Sequence, residues 1–157
     1  MKLELLFLGK TREAYLEAGI NDFAKRLGRY VPAEIRVLRD VRRLGRGDSD
    51  ARAMAAEAEI LLAAVPKGAV RVVLDHGGRQ FSSEQLARQL TSWEEEGRRQ
   101  VAFLIGGPTG LAPAVLEGAD LVISLSRLTF THELARLILL EQLYRAYTIK
   151  AGEQYHK

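Results

Sequence analysis

The chain has 157 residues, 47% hydrophobic and 27% charged, with a formal net charge of +3 and a pI near 9.3. That is enough chain to bury the core of one compact domain, and residues 1–157 read as a single domain. The absence of Cys excludes disulfides and thiolate–metal sites and suits a cytoplasmic protein, while the positive surplus permits an anionic partner without requiring one.

The run Leu3 to Leu8 carries an acid, Glu4, and reads as a first strand rather than a signal peptide. No apolar run approaches bilayer length, so no membrane span is expected. From Thr11 to about Arg29, Ala14, Leu16, Ile20, Phe23, Ala24 and Leu27 fall on or near one helical face. Ala33 to Arg39 reads as a strand exposed on one face, near a sheet edge. Leu44 to Asp50, with Gly45, Gly47 and Asp48, is a loop; Ala51 to Val65 is an Ala- and Leu-rich helix stopped by Pro66-Lys67-Gly68.

Ala69 to Asp75 predicts a buried strand ended by Gly77-Gly78. Ser82 and Gln85 then have capping-box spacing, and Phe81 and Leu86 hydrophobic-staple spacing, at the start of a helix. Val101 to Ile105 is a further apolar strand, Leu111 to Gly118 a short helix, and Leu121 to Ser124 the last strand. Thr131 can cap a final helix from His132 to about Ile149. This alternation predicts an α/β fold with a mostly parallel sheet of five to six strands and helices on both faces.

Ligands of open parallel sheets bind beyond the carboxyl ends of the strands. Three polar or glycine-rich loops fall there: 75–78, 106–110 and 124–130. Glycine lets backbone approach a ligand closely, and Pro108 stiffens the middle loop. The pattern matches neither the dinucleotide fingerprint nor the P-loop, which argues against a polyphosphate ligand. One glycine-rich turn is ordinary strand-to-helix punctuation; three converging on one edge point to a ligand such as an adenine or a ribose.

The final helix is apolar almost all round, through Leu134, Leu137, Ile138, Leu139, Leu140 and Leu143, and a symmetric partner could cover one side. Arg136 and Arg145, nine residues apart, project from opposite faces; Glu141 and Arg145 have the spacing of a helical ion pair, structural or catalytic. His132, at the positive end of the helix, is expected to stay neutral, as a cap or as a proton acceptor beside the pocket. No two of His76, His132 and His156 have metal-ligand spacing, and no metal is expected. Arg36, Arg39, Arg42, Arg43 and Arg46, opposed only by Asp40, and the pair Arg98–Arg99 are either solvated faces or phosphate contacts.

Taken together, Leu104-Ile105-Gly106-Gly107-Pro108-x-Gly110-Leu111, Ser124-Leu125-Ser126-x-Leu128-Thr129, Glu141-x-Leu143-Tyr144-Arg145-Ala146 and Tyr155-His156 resemble the ribosomal RNA large subunit methyltransferase H family, of the SPOUT class. The resemblance spans the whole chain. It implies a C-terminal trefoil knot, S-adenosyl-L-methionine as methyl donor, a homodimer, and methylation at N3 of a pseudouridine in 23S rRNA within the ribosome. It implies donor contacts from Leu74, Gly106 and the segment Ser126, Arg127, Leu128, Thr129, Phe130 and Thr131, with Gly107 and Leu125 contributing. Arg145, Tyr155 and His156 would lie near the methyl or the target base, the tail acting with the partner's pocket, and His132 or His156 would accept the N3 proton. The chain departs from the family pattern where Thr131-His132-Glu133 replaces Pro-His-Pro, and in ending on Lys157 where some members carry Arg. Two other readings stay open: a knotted methyltransferase acting on another RNA such as tRNA, and a catalytically silent ribosome-binding factor.

Overall fold

The computed structural model describes residues 1–41 and 50–156, the side chain of His156 excepted. The expected 44–50 loop up to Ser49, the basic residues Arg42, Arg43 and Arg46, and Lys157 lie outside the described residues; Asp50 itself already belongs to a helix.

Five strands, β1 (Lys2–Leu8), β2 (Ala33–Leu38), β3 (Val70–Gln80), β4 (Gln100–Ile105) and β5 (Leu121–Ser124), form one sheet in the order β2-β1-β4-β3-β5. Every pairing is parallel. The helices are α1 (Ala14–Leu27), α2 (Asp50–Ala64), α3 (Ser83–Glu95), α4 (Pro113–Glu117) and α5 (His132–Lys150), followed by a 3-10 turn at Gln154–His156.

Side chains of a strand alternate between faces, and β1 is apolar on both because both are covered. Leu3, Leu5 and Phe7 join the core under α1, α3 and α5, while Leu6 and Leu8 join the smaller core under α2 and α4. β2, the expected one-sided strand, is an edge strand. The helix starts follow local chemistry. Ser82 and Gln85 form the capping box of α3, and the Thr131 hydroxyl accepts from Leu134 N–H at 3.2 Å to cap α5.

Two elements depart from expectation. Gly77-Gly78 does not end β3. Leu74 pairs with Ile123, residues 75–78 bulge out, and Arg79 returns to the same Ile123, with Gln80 opposite Ser124. Gly78 makes the return possible, since a Cβ there would lie 2.7 Å from backbone carbons of Val122 and Ile123. The helix expected from Thr11 begins at Ala14, because the backbone of 12 and 13 is turned toward α5.

The placement of α5 sets up the site. β5 is an edge strand, yet α5 begins beside β1: Arg136 donates to the Leu8 carbonyl at 2.6 Å. Residues 125–131 therefore cross the carboxyl ends of β3 and β4. The helix then runs between α1 and α3, and it meets α1 closely because Gly19 leaves room for Leu137 (a Cβ would sit 2.9 Å from its Cδ1). Leu139, Leu140 and Leu143 are fully buried, whereas Leu134, Leu137 and Ile138 are only partly covered by the rest of the chain.

Candidate functional site

An open cleft of about 920 Å3 lies across the carboxyl ends of β1, β3, β4 and β5. Its walls come from the start of α1, from 74–76 at the bulge of β3, 105–111 at and beyond the end of β4, 123–131 around β5, and the start of α5. Parallel strands direct their following loops to one edge, so four separate stretches of sequence converge.

Each wall is held by local bonds. After β4, Gly110 N–H donates to Gly107 C=O at 3.2 Å, closing a tight turn around Pro108 and Thr109. Gly110 has φ +86°, a conformation side-chain-bearing residues rarely adopt. Gly106 lies so near Leu111 that a Cβ would sit 2.7 Å from Leu111 Cδ2. After β5, Ser124 Oγ donates to Ser126 C=O at 2.9 Å, and Ser126 Oγ accepts from Leu128 N–H at 3.0 Å. These bonds curl 124–128 across the cleft. Within β3, Asp75 Oδ2 accepts from Gly77 N–H at 2.9 Å, fixing the bulge that presents Asp75 and His76.

Leu74, Gly106, Gly107, Leu125, Ser126, Leu128, Thr129, Phe130, Thr131 and His132 all line this cleft. Arg127 is exposed between two of them and is not part of the lining. Arg145 and Tyr155 lie elsewhere. Thirteen residues of helix, about 20 Å at 1.5 Å per residue, separate Arg145 from His132.

There Glu141 is a hub. Its Oε1 accepts from Arg145 Nη2 at 2.6 Å and from Tyr155 Oη at 3.2 Å, and the Arg145 guanidinium stands 4.8 Å from the Tyr155 ring centroid. The Glu141 hydrogen bond raises the pKa of Arg145; burial, then Glu141, raises that of Tyr155. Arg145 is thus a fixed cation, not a base. Tyr144 packs on Tyr155 and reaches Phe23 of α1 and Tyr30 in the turn that follows it, giving an aromatic surface along α1 and α5.

Sequence reading missed the wall made by Glu13, Tyr15, Leu16 and Glu133. Its signal is Gly9, at φ +73°, which ends β1 at the same edge as the other loops. The basic run is also less free than it reads. Arg36 donates to Glu4 at 3.2 Å and to Ala64 C=O at 2.8 Å, and Arg98 pairs with Glu96. Among the described residues no helix is long and apolar enough to cross a membrane.

A parallel α/β sheet with a glycine-lipped cleft at its carboxyl edge, closed by a final helix drawn back from the far strand, defines a small-ligand-binding α/β protein. The chain belongs to the SPOUT methyltransferase family: residues 1–156 match the family described as predicted SPOUT methyltransferase. It is 49% identical over 158 residues, covering 100% of both chains, to a protein of Desulfotalea psychrophila named ribosomal RNA large subunit methyltransferase H. It is 42% identical over 156 residues, 99% of both chains, to a protein of the same name from Geotalea daltonii. Among solved structures, a probable methylase family protein from Haemophilus influenzae aligns with TM-score 0.54 at 11% identity, over 99% of this chain and 70% of that one, a likeness of fold alone.

Proposed function

We propose that this methyltransferase uses S-adenosyl-L-methionine to methylate N3 of a pseudouridine in the 23S rRNA of the ribosome, working as a homodimer in the cytoplasm. The observation that carries the reading is the convergence of the family's glycine loop and Ser-Leu-Ser segment on one cleft. The cleft fits the donor chemically. Leu74, Ile105, Leu111, Leu125 and Phe130 offer apolar walls for an adenine, and the Gly106–Gly107 backbone can approach a ribose or an adenine edge. The donor, when bound, supplies an electrophilic methyl group.

The protein's part is chiefly alignment of the N3 atom with that methyl. The N3 proton leaves to a neutral imidazole, His132 on the cleft wall or His156 on the tail. Arg145, Tyr155 and His156 act in the cleft of the partner subunit, because within one chain Arg145 is a helix-length away from it. The partly covered Leu134 and Ile138 and the aromatic surface along α1 and α5 form the dimer contact. A C-terminal segment threaded as a trefoil knot belongs to the same reading.

The test is methyl transfer from labelled donor to purified ribosomes, to free 23S rRNA and to tRNA, with the modified nucleotide mapped. Label at N3 of one ribosomal pseudouridine is expected. Transfer only to tRNA, or donor binding without any transfer, would overturn the reading.

A further inference from the structure

The start of α1 is a wall of the cleft on which Glu13 and Tyr15 are exposed while the backbone leading into it is tied to α5. Glu133 Oε1 accepts the backbone N–H groups of Arg12 and of Glu13, the second at 3.2 Å. Arg136, 0% exposed, donates to Leu8 C=O at 2.6 Å and to Thr11 Oγ1 at 3.0 Å, with its guanidinium 4.9 Å from the Phe7 ring centroid. Four bonds from one helix turn thus hold residues 8–13.

The segment so held is Lys10-Thr11-Arg12-Glu13-Ala14-Tyr15. Tyr15 is 72% exposed although it lines the cleft. Lys10 and Arg12 are exposed, and their side chains make no ion pair with the described residues. On the wall of the same cleft Leu128, also 72% exposed, stands beside the exposed Arg127. An exposed aromatic ring with two cations and one acid, Glu13, in six residues, on a cleft whose rim carries a third cation beside Leu128, matches the pattern that holds unpaired RNA: bases stack on rings and phosphates meet cations.

We infer that residues 10–15 are the RNA-binding lip of the cleft. Tyr15 stacks on an unpaired nucleobase of the substrate, Lys10 and Arg12 meet its phosphates, and Glu133 and Arg136 are positioning residues that hold the lip in place. This rests on the RNA methyltransferase reading and names the surface that receives the RNA.

The test compares the full-length protein with Tyr15→Ala, Tyr15→Trp, Glu133→Ala, Glu133→Gln and the double variant Lys10→Ala/Arg12→Ala. Donor affinity is read by calorimetry with S-adenosyl-L-methionine, and KM and kcat with purified ribosomes. Tyr15→Ala is expected to raise KM for ribosomes about tenfold and Tyr15→Trp to restore it, the donor Kd staying within about twofold. Glu133→Ala raises the same KM, and Glu133→Gln, which keeps an acceptor oxygen, recovers part of it. The double variant lowers the salt dependence of ribosome binding by a log–log slope of about 1 to 2.

An unchanged KM in Tyr15→Ala overturns the inference. So does a donor Kd that rises in step with KM, the mark of a collapsed cleft, and so does a loss of dimer with RNA affinity intact, the mark of a subunit contact. A wild-type protein that binds donor and methylates no RNA overturns the functional reading instead, and this inference with it.

Discussion

Two glycines, Gly78 in the bulge beside the site and Gly106 within it, are constrained for different reasons. At Gly78 a Cβ would meet backbone atoms of β5 at 2.7–2.8 Å, and backbone cannot rotate aside. Gly78→Ala is therefore expected to cost about 2 kcal/mol, read as a lower denaturation midpoint, because the β3–β5 register must open. At Gly106 the obstacle is the Leu111 side chain, which can turn away, so Gly106→Ala should keep most of the stability and lose donor affinity. A calorimetric donor Kd equal to wild type in Gly106→Ala would count against the cleft as donor site. Glu133 carries a pH signature. Burial alone would raise its carboxyl pKa, but the N–H groups of Glu13 and Arg12 outweigh that and hold it below its ordinary value. A depressed folded pKa stabilises above the unfolded value, about 4.3, and that contribution fades as pH falls through the folded pKa. Glu133→Gln should thus melt lower than wild type at pH 7, with the gap closing below about pH 4. Parallel melting curves from pH 7 to pH 3 would remove Glu133 from the clamp.

On the scale of elements, α5 does two jobs at two ends. Its first turn caps the cleft through Thr131, His132 and Glu133; its later turns hold Arg145 against Glu141 and Tyr155. If the two ends serve different subunits, two damaged proteins should complement each other. Arg145→Ala spoils what one chain lends to its partner, and Gly106→Ala spoils the cleft it keeps. Mixed after unfolding and refolding, they should recover about a quarter of wild-type activity, since half the dimers are mixed and each has one intact site. No recovery in a confirmed mixed dimer would mean that both ends of α5 act within one chain. Sequence periodicity anticipated the opposed directions of Arg136 and Arg145, because 100° per residue is a local property. It did not anticipate that Arg136 would be wholly buried against Phe7, because that depends on which strand α5 comes to lie over.

At the scale of the molecule, the proposed completion of the site by a second copy would make activity depend on concentration. Specific activity on ribosomes should fall on dilution, in step with dissociation measured by analytical ultracentrifugation; constant activity through dissociation would mean a self-sufficient monomer. Much of the architecture was legible in the chain. Alternating apolar runs and periodic faces dictate five strands and five helices, and the Ser82–Gln85 and Thr131 caps mark helix starts, because these signals act within a few residues. The glycine loops announced a cleft for a similar reason, since parallel strands send their following loops to one edge. Other features were settled only when distant segments met. Strand order brought β5 to the edge and α5 back to β1, which recruited the start of α1 as a wall that Gly9 alone signals. The return of β3 through its bulge depends on Gly78 finding the β5 backbone, and the distance between Arg145 and the cleft follows from the direction of a helix. Local chemistry chooses the elements and their ends; which faces and loops become neighbours is decided by packing between residues far apart in the chain.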